Sequence, residues 1–318
     1  MAEIADLKPF SYSTLANKEN KTILGREIVN EFQKVGFLRL VDIPDFDDSE
    51  LLESIKYYYE RSKQEKMKFA LKRFAENNKN EYRGYMPLVK NLPVFKEQTD
   101  FGNNSIAPPA ENAPDYEKYI KERNNYSSEK FQKSIEMFYE IYHKCAVLIL
   151  KHLAIGIDEK EDFFTRVFFE GEKDQHLILT LLSTFENYGL QVRNKEKSWV
   201  WVRPIKNTLI VNLGTIIENI TGGMLPATIH RVMDLGEHRY SAPMFVEPCF
   251  SDTSFMKKLG SGEKWTEKEF KNYGEFCVKT SGRHGEYDKI TVCPRFKFFG
   301  KDEVLNYGNG NQIAFELA

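Results

Sequence analysis

The sequence predicts an α+β fold in one domain over residues 1–318, mainly helical over 1–160, β-rich over 161–250, with a C-terminal extension over 251–318. Two observations carry that expectation. From Leu179 to Pro243 the chain is a series of short apolar or alternating runs: Leu179–Leu182, Gly189–Val192, Trp199–Val202 and Asn207–Gly214. Gly, Asn and Pro separate them, which is the pattern of short strands joined by turns. Before that series, two long stretches carry apolar side chains at helical spacing, so each buries one face against a neighbour.

The elements follow in chain order. Lys21 to Val35 carries apolar side chains at Ile23, Ile28, Val29 and Phe32, a roughly helical spacing. Gly36 then stops the helix, because glycine takes the left-handed conformation that closes a last turn. Phe37-Leu38-Arg39-Leu40-Val41 reads as a strand. A second helix is expected from Asp48 or Ser49, either of which can cap it, through Tyr57-Tyr58-Tyr59 to Lys68. Residues from Asn103 to Pro114 are rich in Asn, Pro and Ala and form a loop. Ser127 is expected to cap a long helix with Phe131, Ile135, Phe138, Ile141, Val147, Leu148 and Leu150 on its apolar face, ending near Gly156. After the strands, Glu267 to Phe276 reads as a helix and Thr291 to Ala318 as irregular chain.

Composition narrows the function classes. Hydrophobic residues make up 41% and charged residues 29%, the balance of a globular protein with a core. The 24 Phe and 16 Tyr favour aromatic pockets over a disordered chain. A net charge of -2 gives no electrostatic reason to expect nucleic acid or a membrane surface as partner. The N-terminus lacks the basic-then-apolar pattern of a secretory signal, and no apolar run is long enough to span a bilayer. Cys145, Cys249, Cys277 and Cys293 have no paired close spacing, so they read as reduced thiols of a cytoplasmic protein and not as a zinc site.

The order of the strand runs, together with Thr228-Ile229-His230-Arg231-Val232 and Arg239-Tyr240-Ser241-Ala242-Pro243, resembles the iron(II)- and 2-oxoglutarate-dependent oxygenases, in the branch that looks like isopenicillin N synthase. The helix, Gly-Phe strand, helix order at the start extends the resemblance, as do Glu65-Lys66-Met67 and Tyr82-Arg83-Gly84-Tyr85. It implies a double-stranded β-helix core, a jelly-roll of the cupin-like kind, with flanking helices and the long helix packed on the outer face of the sheet. It also implies an oxidoreductase, a dioxygenase that uses Fe(II) as metal and 2-oxoglutarate as co-substrate to oxidise a small-molecule substrate. The pocket in that family is shaped by N- and C-terminal segments, here Tyr82, Arg83 and residues near Phe250.

Such a centre needs two imidazoles and one carboxylate on one face of the metal, leaving the other positions for co-substrate and oxygen. The resemblance assigns His230 as the distal histidine, and Arg239 with Ser241 as the 2-oxoglutarate carboxylate site. Arg239 and Ser241 are two apart, so on an extended strand they share a face. A guanidinium grips a carboxylate through two parallel hydrogen bonds, and a hydroxyl adds a third. The other two metal ligands of the family come from an H-x-D motif just before the Leu179 run. Here that place reads Lys173-Asp174-Gln175-His176, with Lys173 for the His and Gln175 for the Asp. An ammonium cannot ligate, and a neutral amide is a weak ligand. The segment from Phe163 to Phe169 leads almost directly into it, so the strand that precedes H-x-D in the family is missing or shortened.

Asp174 and His176 offer a replacement in reversed order. With His230 they supply two imidazoles and a carboxylate. Relative to Leu179 they are displaced by one residue, onto the opposite strand face, so a bulge or irregular loop has to bring them to the metal. The competing reading of Glu170 to His176 is a charged, solvent-exposed turn. Three functions therefore stay open: an active oxygenase, a catalytically inactive oxygenase-fold protein that binds or interacts, and a shortened variant of an active parent. His143 and His152, inside the long helix, are expected to be structural or exposed.

Overall fold

The structure, a computed structural model, describes residues 3–88, 96–103, 110–113, 117, 121–165, 178–266 and 270–281. A five-stranded sheet organises it. Its order is β1 (Pro9–Ser11), β2 (Phe37–Val41), β8 (Leu209–Leu213), β5 (Leu179–Ser183), β10 (Ala242–Val246). β1 and β2 run parallel, and the remaining neighbours are antiparallel. A second sheet places β6 (Leu190–Arg193) between β7 (Trp199–Trp201) and β9 (His230–Val232), all antiparallel. A two-residue pair, β3 (Tyr85–Met86) with β4 (Gln98–Thr99), sits in the N-terminal half.

The period-two alternation of the strands decides what each sheet face meets. In β5 and β8, Leu181 opposes Val211 and Leu182 opposes Ile210. Leu181 and Val211 join the large core under the helices, whereas Leu182 and Ile210 join a smaller core with Phe37, Leu190, Val192, Val200 and Val202. The smaller core lies between the two sheets. The larger one lies between the main sheet and α2 (Lys21–Val35) and α5 (Glu129–Gly156), after α1 (Tyr12–Ala16). This is the jelly-roll core with flanking helices that the sequence led us to expect, with β1 and β2 from the helical N-terminal part completing its main sheet.

Several element boundaries match expectation for local reasons. α2 begins at Lys21 and ends at Val35, and Gly36 closes it at φ 72° with its amide donating to the Phe32 carbonyl. The long helix ends at Gly156. Other boundaries differ. Ser128, not Ser127, caps α5, its side chain accepting from the Phe131 amide. The expected helix from Asp48 to Lys68 is two helices, α3 (Asp48–Tyr59) and α4 (Lys63–Met67). The first is capped by Asp47, whose carboxylate accepts from the Ser49 amide. Ser62 opens the second with a capping box, its hydroxyl accepting from the Glu65 amide while Glu65 accepts from the Ser62 amide. That reciprocal pair satisfies two orphan donors and makes a new start cheaper than continuing the helix. After α6 (Thr215–Ile220), the last described helix, α7, runs Tyr273–Ser281, later than the sequence indicated. Its expected first residues, 267–269, lie outside the described residues, as do Thr291 to Ala318.

α2 and α5 cross with backbone on backbone. A Cβ on Gly25 would lie 2.6 Å from the His152 carbonyl oxygen and 2.9 Å from the Gly156 amide nitrogen. His152, 2% exposed, reaches the Leu15 carbonyl through Nε2 at 2.8 Å, so it is a structural histidine. No helix among the described residues is long and apolar enough to cross a membrane.

Candidate active site

His230 lies on β9, opposite Val192 of β6. Val192 belongs to the core between the sheets, so His230 faces that interior too. Its ring meets Phe37 edge-on, with centroids 5.5 Å apart and an interplanar angle of 80°. Nδ1 lies 3.0 Å from the Thr228 carbonyl oxygen. A carbonyl can only accept, so Nδ1 carries the proton and Nε2 keeps its lone pair. Nε2 has no hydrogen-bond partner among the described residues. Burial pushes the imidazole pKa below its ordinary value, partly opposed by the Thr228 bond. The group is therefore held neutral with one committed and one available nitrogen, the state a metal-ligating histidine requires. The neighbouring Arg231 points to the other face. Its Nε donates to Gln191 Oε1 at 2.8 Å, and its guanidinium stacks 4.2 Å over Trp199.

Arg239 and Ser241 precede β10 directly rather than lying within it. Alternation nevertheless runs through the segment. Tyr240 packs against the helical core and Tyr59, whereas Arg239 turns to the second sheet. There its Cδ and Nε would lie 3.2 Å from a Cβ on Gly189, the residue before β6. Gly189 has φ 144°, a conformation that itself favours glycine, so backbone and space both require that residue. The Met233 amide donates to the Gly189 carbonyl at 2.8 Å, tying the end of β9 to the same corner. Partial burial lowers the Arg239 pKa, countered by Asp234, and the guanidinium stays cationic. Ser241, Pro243 and Phe245 are exposed while Val246 is buried, so the row that begins at Ser241 borders open space.

His230 is one ligand of the expected three. Among the described residues no group of three or more His, Cys, Asp or Glu side chains could hold a metal. Asp174 and His176, and with them Lys173 and Gln175, lie outside the described residues. The donor chemistry of His230, a neutral imidazole with Nε2 available, fits a ferrous ion. The cationic, carboxylate-matching Arg239 fits 2-oxoglutarate.

Arg83 departs from its expected place in a pocket wall. It is 5% exposed, and its guanidinium donates to the Glu122 carbonyl at 2.7 Å and the Asn103 carbonyl at 3.4 Å. The Glu122 carboxylate in turn accepts the amides of Glu81, Tyr82 and Arg83 at 2.8–2.9 Å. Arg83 thus braces its own loop. Sequence reasoning did not single out Gly189, Thr228 or Phe37 as parts of the site. The signal in each case was weak: a Gly before an apolar strand, a Thr two residues before a His, and an aromatic after a helix stop.

The geometry and the fold together give a jelly-roll protein with a neutral histidine whose Nε2 is available and a cationic arginine at a corner of the same sheet, beside Gly189. Comparison with known proteins shows what this chain is similar to. Residues 144–248 match the profile of the 2OG-Fe(II) oxygenase superfamily. A 2-oxoglutarate-dependent dioxygenase of Dothideomycetidae sp., frbJ, is 26% identical over 269 residues, 73% of this chain and 72% of that protein. A 2OG-Fe(II) oxygenase family protein from Caulobacter crescentus superposes with TM-score 0.69 at 22% identity, over 89% of this chain and 99% of that one. A full-length Neurospora crassa protein solved in complex with alpha-ketoglutarate superposes with TM-score 0.66 at 17% identity, over 88% and 98%. The two structural likenesses concern the fold. Fe(II) and 2-oxoglutarate are the cofactors of the family.

Proposed function

We propose that this chain is an active oxygenase that oxidises a small molecule with Fe(II) and 2-oxoglutarate. The observation that carries the reading is His230, held neutral, with Nδ1 committed to Thr228 and Nε2 available, on the sheet whose far corner Arg239 touches. In this reading His230, Asp174 and His176 hold the metal. Arg239 and Ser241 hold the carboxylate of 2-oxoglutarate that is remote from the metal. Bound metal and co-substrate supply the oxidising chemistry that dioxygen alone does not. The residues of the chain do the rest. The apolar core behind His230, with Phe37 against its ring, keeps water from the back of the imidazole and favours its neutral form. The Arg239 guanidinium fixes one end of the co-substrate, so that only its other end can reach the metal. The exposed row Pro243 and Phe245 offers apolar surface beside Ser241 for the substrate.

Three buried thiols, Cys145, Cys249 and Cys277, support a reducing compartment, and we place the protein in the cytoplasm. The near-neutral charge supports a small-molecule substrate with neither nucleic acid nor membrane as partner.

Anaerobic titration with ferrous iron and 2-oxoglutarate tests the reading through the visible charge-transfer band of the chelated co-substrate. The band is expected with the wild type and absent in His230→Ala and Asp174→Ala, while Lys173→Ala keeps it. Unchanged iron affinity in Asp174→Ala would sink the reversed Asp-His pair. No band from folded wild-type protein would overturn the active reading in favour of a non-catalytic relative.

A further inference from the structure

We propose that Gly36 and Phe37 are positioning residues that fix the ring and the tautomer of His230 from a distant element of the chain. The consequence for metal binding rests on the reading of His230 as an iron ligand; the geometry does not. Gly36 is the residue that closes α2, at φ 72°. A Cβ there would lie 1.8 Å from Thr228 Oγ1 and 2.6 Å from Thr228 Cβ. Real Cβ atoms do not approach so closely, so Thr228 occupies the space that only glycine leaves. The Thr228 carbonyl is the acceptor that holds the proton on His230 Nδ1. The next residue, Phe37, is 1% exposed and is locked by its strand pairing with Asn212 of β8. Its ring is the one that meets the imidazole edge-on.

The two contacts act on different parts of the histidine. Gly36 acts through Thr228 on Nδ1, deciding which nitrogen carries the proton. Phe37 acts on the ring plane, deciding where Nε2 points. Both come from one helix stop and the first residue of one strand. A shift of α2 against β2 is therefore transmitted to the imidazole, and partners of this second-sphere kind tune ligand basicity and orientation.

Nitrogen NMR of ring-labelled histidine, in metal-free protein at mildly alkaline pH, reads the tautomer directly. Titration with Co(II) reads the consequence. The wild type is expected to show His230 as a single Nδ1-protonated form. Gly36→Ala is expected to show both tautomers and a Co(II) affinity lower by about tenfold. Adding Thr228→Gly to Gly36→Ala reopens the space, so the single tautomer and the Co(II) affinity return. The thermal stability does not return, because alanine at that positive φ stays strained. That split separates positioning from a merely structural role. If Gly36→Ala fails to fold, Phe37→Leu carries the test: the ring, no longer held in its plane, turns Nδ1 away from the Thr228 carbonyl, so the single tautomer and the Co(II) affinity are both lost. A single Nδ1-protonated form in the folded variants, with Co(II) affinity within about twofold of wild type, overturns the proposal. Wild-type Co(II) affinity in His230→Ala would instead overturn the ligand reading, while the tautomer still decides the positioning.

Discussion

At the scale of single residues, the site depends on the contrast between Arg239 and Arg83. Both are arginines in stretches that resemble the same family, but their guanidinium groups have opposite environments. Arg83 is buried and spends donors on main-chain carbonyls of its own surroundings. Arg239 stands beside a glycine that leaves it room and near the open row of Ser241, Pro243 and Phe245. Arg239→Ala should therefore weaken 2-oxoglutarate binding by about 2–3 kcal/mol, roughly a hundredfold in Kd, measured calorimetrically in the presence of metal. Arg83→Ala should lower thermal stability and leave that Kd close to the wild-type value. Equal loss of co-substrate affinity in both variants would refute the assignment.

At the scale of elements, the crossing of α2 and α5 brings backbone against backbone. Gly25 and Gly156 face one another, and a Cβ on Gly156 would lie 2.3 Å from the Gly25 carbonyl oxygen. The obstructing atoms are backbone, which cannot rotate aside. Gly25→Ala should thus destabilise the protein by about 1–3 kcal/mol despite the better helix propensity of alanine, a result that chemical denaturation would show directly. A stabilised Gly25→Ala variant would mean that the helices can separate at no cost. The same crossing fixes α2, and therefore Gly36 and Phe37 at its end, relative to the sheet. The break between α3 and α4 has a local cause by comparison. Ser62→Ala removes one half of the capping box and should cost about 1 kcal/mol.

At the scale of the whole molecule, the large core under the main sheet carries a buried thiol that responds to pH. Burial pushes the Cys145 pKa up from its ordinary value of 9.0 to about 12. Because the folded value lies above the unfolded one, the unfolded chain gives up this proton first. The stability from burying the neutral thiol is complete below pH 9.0 and is lost as the pH rises toward about 12. Urea midpoints measured across that window should fall less steeply for Cys145→Ala than for the wild type. Parallel curves would show that the thiol is not shielded as the fold implies. Burial likewise pushes the Tyr58 phenol up to about 12, so the variant should retain part of the alkaline slope.

The sequence by itself determined the elements whose signals are local. The helix from Lys21 to Val35, its stop at Gly36, the strand from Phe37 and the end of the long helix at Gly156 all follow from spacing and from glycine. The strand runs after Leu179 were legible for the same reason, and the motifs around His230 and Arg239 were enough to indicate the oxygenase family. A capping box that divides one apolar stretch into two helices was harder to read, because helical spacing persists across the break. Tertiary structure alone decided which neighbour each side chain meets. The contact of Phe37 with His230, the space that Gly36 leaves for Thr228 and the turning of Arg83 into its own loop join segments far apart in the chain. No local pattern encodes such contacts, because they exist only once the sheet order β2-β8-β5-β10 and the packing of the second sheet are in place.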